Sequence, residues 1–324
     1  AYVICDPDEA WVIQFPAHGY IAWRLPDDQV LAFTNIACIR TDYDVISPNL
    51  ISDAIKMGWH KEGDEFDFAF SYMGGDAEDT YTPRNEVKRA RVQGLLDAKT
   101  GEIDVAYVMA IMRDHREGDW LEPRFMPSHF YRLVDETTPT SSTAGTMVAH
   151  LRKGLPDSIA NVYWRALASP RTSVFTPLYW GGDIPEEYEY MATTEFDEKC
   201  PWWAFDVLDR MSRANYEVFN PIIRTVWESL EERYFRETHL IEKQVIELTK
   251  AGKDAEVKQM LTDFHRNNLE REWNIAKGLA YALQELHNVY PGRIISFYEP
   301  DNEASNINAG LMDLWTADLY GWKK

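Results

Sequence analysis

Alternation of apolar and polar positions dominates the start of the chain. Tyr2-Val3-Ile4-Cys5 and Trp11-Val12-Ile13-Gln14-Phe15 flank Asp6-Pro7-Asp8-Glu9, and Tyr20 to Arg24 and Gln29 to Phe33 flank Pro26-Asp27-Asp28. The runs are rich in β-branched and aromatic residues and the turns in Pro and Asp, which predicts four consecutive hairpin strands. A first hairpin with nothing to bury its faces against reads as the middle of a sheet, with more chain preceding it.

Helical spacing follows. Ser47-Pro48 predicts a helix start, with Ser as N-cap, Pro at the first helical position and Leu50, Ile51, Ala54 and Ile55 on one face. Asp64 to Thr82 reads as a loop rich in Gly, Asp and aromatics, and Asn85 to Ala98 as a helix with a basic surface. Asp104 predicts the cap of a helix running to His115, with Val105, Val108, Met109 and Met112 at helical intervals. Strands are predicted at Thr146 to Leu151, Asn161 to Ala168 and Ser173 to Tyr179. From Trp202 to about Leu286 the apolar period is helical, interrupted clearly at Gly252, which predicts two or three long antiparallel helices. The tail after Pro291 is mixed. Strands, helices, strands and then helices make the expected class α+β rather than alternating βαβ.

Composition narrows the function. The 324 residues are 45% hydrophobic, enough for a large core. A net charge of -20 repels phosphate backbones and anionic lipid, so no nucleic-acid or membrane partner is expected. No stretch approaches the roughly 18 apolar residues of a membrane span. The opening Ala1-Tyr2-Val3-Ile4 has neither Met nor a basic leader, so the gene start is expected upstream. Cys5, Cys38 and Cys200 are too scattered for a disulfide framework or a zinc site, and strand alternation makes Cys5 a small core residue.

The common chemical motifs are missing. No GxGxxG, phosphate loop, HExxH or GxSxG elbow occurs, and no two His residues have metal-ligand spacing. His115 reads as a helix-end side chain, Cys38 and Cys200 as packing residues. With 53 carboxylates in the chain, no catalytic pair can be singled out.

Asp6 to Ile13, Ile21 to Asp28 and Ala32-Phe33-Thr34-Asn35 resemble the segment "D-x-x-E-A-W … W-A-A-x-R-V-P-D-D … A-N" of the PepD-type dipeptidases. Those are N-terminal-nucleophile (Ntn) cysteine hydrolases, related to secernins and more distantly to penicillin V acylase and bile salt hydrolase. Val108 to Gly118 is similar to the family's "V-M-A-I-L-R-D-H-Y-E-G", and Val148 to Pro156 and Ser173 to Ile184 match further motifs in the same order. The resemblance runs from residue 1 to about 205 and loosely through the helices.

It implies a four-layer αββα sandwich over 1–201, completed by an upstream segment, then a long-helix region at 202–288 and a tail at 289–324. It implies amide-bond hydrolysis on dipeptides, without metal or organic cofactor. The N-terminal Cys nucleophile would come from the chain's own upstream fragment or a separate chain, since Ala1 has no nucleophilic side chain. The alternatives are an N-acyl amide hydrolase of the acylase type and a secernin-like scaffold without catalysis; homo-oligomerisation stays open, as does the compartment. Asn35, at the end of the fourth predicted strand, would be an oxyanion donor, and Arg89 would hold a carboxylate or orient the nucleophile, with Arg84 and Arg91 as alternates that bind substrate.

Overall fold

A computed structural model describes residues 1–34, 37–73, 82–114, 143–189, 193, 195–214 and 216–289. Asn35, His115 and the tail beyond 289 lie outside the described residues. The class is α+β, with two separate antiparallel sheets and long helices.

The first sheet has the order β1 (Tyr2–Cys5), β2 (Ala10–Gln14), β3 (Ile21–Leu25), β4 (Val45–Ile46). The β1–β2 hairpin closes as its sequence predicts. Asp6 N–H donates to Glu9 C=O at 3.0 Å, and the Asp6 carboxylate accepts from the N–H groups of Asp8 and Glu9 at 2.7 and 2.9 Å.

The fourth strand is a correction. Gln29 to Phe33 turns after Pro26 but forms no strand, and β4 takes the place beside β3, with Ile21 opposite Ile46 and Ala22 opposite Val45. A side chain explains the exchange. The Gln93 amide accepts from Ala32 N–H at 2.8 Å and donates to Val30 C=O at 3.1 Å, so it takes the backbone groups that a strand ladder would use.

Helix α1 runs Leu50–Lys56, and its N-cap is Asn49, not Ser47. Ser47 is occupied elsewhere: its hydroxyl donates to Tyr20 C=O at 2.9 Å and accepts from Tyr20 N–H, fastening the chain after β4 to the start of β3. Cys5 also departs from expectation. It is exposed, because β1 pairs on one side only and none of its four residues is buried among the described residues. Val12, Ile21, Ile39, Leu50, Ala54, Phe66 and Phe68 form the small core under this sheet. Part of the expected 64–82 loop is helical, as α2 (Phe68–Met73).

Helix α3 (Thr82–Asp97) is the basic helix the spacing predicts. Helix α4 (Val105–Arg113) starts on the Asp104 cap, whose carboxylate accepts from Tyr107 N–H at 2.7 Å. The second sheet is β5 (Gly145–Leu151), β6 (Asn161–Leu167), β7 (Thr176–Tyr179), all antiparallel, with the short α5 (Asp157–Ala160) between its first two strands. Along β6, Val162, Trp164 and Ala166 face inward at every second position.

The short α6 (Glu186–Glu189) leads to α7 (Pro201–Ala214), α8 (Tyr216–Lys250) and α9 (Asp254–Val289). Gly252 makes the tight link between the two long helices, with φ +69° and its N–H donating to Thr249 C=O. Trp227, Tyr234, Phe205 and Leu261 are fully or almost fully buried and share one core with β5–β7 and α4. Burial of each such side chain is worth about 1.5–3 kcal/mol.

Arginines from the sheet side grip glutamates of the long helices. Arg113 pairs with Glu231, Arg152 with Glu242 at 2.8 Å and Arg165 with Glu272 at 2.7 Å. Each glutamate is less than a fifth exposed, so loss of one partner would strand a charge. Among the described residues no helix is long and apolar enough to cross a membrane.

Candidate active site

The resemblance singles out Asn35 and three arginines of α3. The described neighbours of Asn35 are fastened on both sides. Thr34 Oγ1 donates to Asn85 C=O at 3.1 Å, and Gln93, two turns further along α3, holds Val30 and Ala32. On the other side, Gln14 Oε1 accepts from the N–H groups of Cys38 and Ile39 at 3.1 and 3.0 Å. Thr34 is therefore tied to the start of α3, and Cys38 and Ile39 to the end of β2.

Arg89 belongs to this side of α3. Its charge is felt at Cys38, and its Nε donates to Glu86 at 2.9 Å. Arg91, two residues on, is turned by roughly 200° about the helix axis. Its guanidinium makes two hydrogen bonds to Asp114 at the end of α4, of 3.0 and 2.7 Å. Arg89 thus stays on its own helix with Glu86, and Arg91 turns to the opposite side of α3, toward α4. The side chain of Arg84 is outside the description.

Burial pushes the Cys38 thiol up, against smaller downward pulls that include its own and Ile39's backbone N–H groups and Arg89. At neutral pH Cys38 is then a protonated, packed thiol and not an activated nucleophile. Cys200 is 1% exposed, and Cys5 stands on the outer strand. Among the described residues no group of three or more His, Cys, Asp and Glu side chains is arranged to hold a metal ion.

Sequence reasoning missed the two glutamines. Gln14 did carry a signal: it stands at an inward position of β2, in step with Val12, and is 7% exposed. A polar residue at an apolar beat has a hydrogen-bonding task, since an unpaired buried amide is costly. Gln93 gave no such sign on its basic, solvated helix. Arg113 and Glu231 were also missed, because 118 residues separate them.

The chain has known relatives. The model of peptidase family C69 matches residues 75–229, from before α3 into the first part of α8. A probable dipeptidase of Salmonella dublin is 29% identical, over 54% of this chain and 46% of that protein. A probable dipeptidase B of Streptococcus pyogenes serotype M1 is 22% identical, over 76% of this chain and 55% of that protein. The chain spans about half the length of the curated relatives it matches. Residues 75–229 are thus similar to peptidase family C69, and the names of the relatives support a likeness to the PepD-type dipeptidases.

Proposed function

We propose that the protein hydrolyses the amide bond of dipeptides, using an N-terminal cysteine on a segment upstream of Ala1 or on a partner chain. The observation that carries this reading is the fastening of the described residues on either side of Asn35, Thr34 to Asn85 of α3 and Cys38 and Ile39 to Gln14 of β2. The family match and the dipeptidase names of the relatives support it, and so does the state of Cys38. In this reading the upstream segment adds to the sheet at β1 and completes a four-layer αββα sandwich.

The chemistry asks for three parts. The nucleophile's own α-amine, with a pKa near 8, takes the thiol proton and returns it to the leaving amine. The Asn35 side-chain amide donates to the oxyanion of the tetrahedral intermediate, a contact worth roughly 3 kcal/mol at the transition state. Arg89 holds the nucleophile's surroundings or a substrate carboxylate. Arg91, already held by Asp114, positions α3.

The test is product analysis of the full-length protein. Incubation with a dipeptide and with an N-acyl amino acid should release free amino acids from the first much faster, and iodoacetamide should stop the release. Cleavage of the N-acyl compound alone would transfer the reading to the acylase type, and no cleavage of either by the folded protein would favour a scaffold.

A further inference from the structure

On the Arg91 side of α3, a cavity of about 530 Å³ lies between α3, α4 and the first half of α8. Leu95, Ala106, Ala110 and Ile111 give its lining an apolar share. The rest of the lining carries charges of both signs, and they are unequally used. Asp114 is held from behind by Arg91. Glu231 is held by Arg113, with Arg224 at 3.7 Å, and Glu228 lies 3.4 Å from Arg224.

Arg171 lines the same cavity and is different. Its backbone C=O accepts from Asn220 Nδ2 at 3.5 Å, but its guanidinium has no ion pair or hydrogen bond among the described residues. Arg171, Arg113 and Arg224 balance Asp114, Glu228 and Glu231, and Arg91 already neutralises Asp114, so one positive charge is left over. A guanidinium unmatched among the described residues, in a cavity with apolar lining, stands out on a chain of net charge -20.

We propose that this cavity binds a small monocarboxylate with an apolar body, with Arg171 as the residue that takes the carboxylate. The planar fork of a guanidinium fits a carboxylate through two parallel hydrogen bonds. The apolar lining residues Leu95, Ala106, Ala110 and Ile111 take the hydrocarbon part. The three carboxylates around the cavity select against dianions, since only one positive charge is spare and a second negative charge would meet Glu228 and Glu231. The proposal does not rest on the reading of amide hydrolysis.

Calorimetric titration of the full-length protein with n-hexanoate tests it. Hexanamide, of the same shape without the charge, and inorganic phosphate serve as controls. Hexanoate should bind at millimolar concentration or below, and hexanamide and phosphate at least about tenfold more weakly, the value of one charge-assisted contact. Arg171→Met should weaken hexanoate by about tenfold or more with an unchanged melting curve, because the guanidinium it removes has no partner among the described residues. Arg171→Lys should fall between the two, and Ala110→Leu should weaken hexanoate by filling space at the apolar lining. Equal binding of hexanoate and hexanamide by the unaltered protein, no binding of hexanoate at millimolar concentration, or undiminished binding by Arg171→Met would each overturn the proposal.

Discussion

Arg91 of α3 and Asp114 at the end of α4 are joined by two parallel hydrogen bonds of 3.0 and 2.7 Å, although 23 residues separate them. Asp114 is 7% exposed, so this pair is a largely buried charged tie between α3 and the end of α4. Asp114→Asn or Arg91→Lys should lower stability by about 1.5–3 kcal/mol, the cost of a charge-assisted bond whose partner remains partly buried. Urea unfolding of each variant checks this. A double variant that loses no more than the worse single would show that the two residues act as one unit.

Gln14 is the acceptor for two consecutive backbone N–H groups, those of Cys38 and Ile39. Gln14→Leu keeps the volume and removes the acceptor. It should cost about 1–3 kcal/mol, since both donors lose their partner in a buried place. Hydrogen exchange gives the sharper reading: the amides of Cys38 and Ile39 should exchange much faster, while those of β6 stay protected. Unchanged exchange at both amides would mean that Gln14 does not hold the segment.

Gly182 meets α9 at contact distance. A Cβ at this position would lie 2.7 Å from the backbone carbon of Leu261 and 2.7 Å from the His265 ring. A helix backbone cannot step aside cheaply, so Gly182→Ala should destabilise by about 1–3 kcal/mol. Gly58→Ala separates overlap from the backbone effect of glycine, since Gly58 has φ +74° and open space around it. Thermal melting should rank Gly182→Ala as the more damaging of the two only if the contact with α9 is as tight as it stands.

His265 is fully buried, with Nε2 accepting from Tyr179 N–H at 2.8 Å and Nδ1 placed 3.1 Å from Asp183 C=O. One proton on Nδ1 satisfies both contacts, so the neutral ring fits and the imidazolium does not. Burial lowers its pKa from the ordinary 6.5, against smaller upward pulls from the Asp183 carbonyl and charge. A lowered pKa means that the unfolded chain binds the proton more readily. The stability from this group is therefore complete above about pH 6.5 and declines as pH falls toward the folded value. Urea midpoints measured from pH 8 to pH 5 should hold level and then drop. A profile without that drop near pH 6 would show that the imidazole is not held neutral.

Local patterns were readable in the sequence wherever the chain's own neighbours decide the structure. The turn at Asp6-Pro7-Asp8-Glu9, the Asp104 cap, the beat of Val162, Trp164 and Ala166 and the break at Gly252 all depend on residues a few positions apart. The fourth strand failed because the groups that hold Val30 and Ala32 sit on Gln93, more than 60 residues away. The Ser47 hydroxyl serves Tyr20 rather than its own helix for the same reason. The arginines of α3 were legible as a basic face, but the direction of Arg91 depends on Asp114, 23 residues away, which no local pattern reports. Asn35 was reached by resemblance alone, and it lies outside the described residues.

The central claim is dipeptide hydrolysis with Asn35 as oxyanion donor, and one kinetic comparison tests it most directly. The rate of amino-acid release from a dipeptide is measured for the full-length protein and for Asn35→Ala, with melting curves recorded for both. The account predicts turnover in the unaltered protein and a loss of about a hundredfold or more in kcat for Asn35→Ala at an unchanged melting temperature. Dipeptide turnover that Asn35→Ala leaves intact, or no release of amino acids by the folded, unaltered protein, would contradict it.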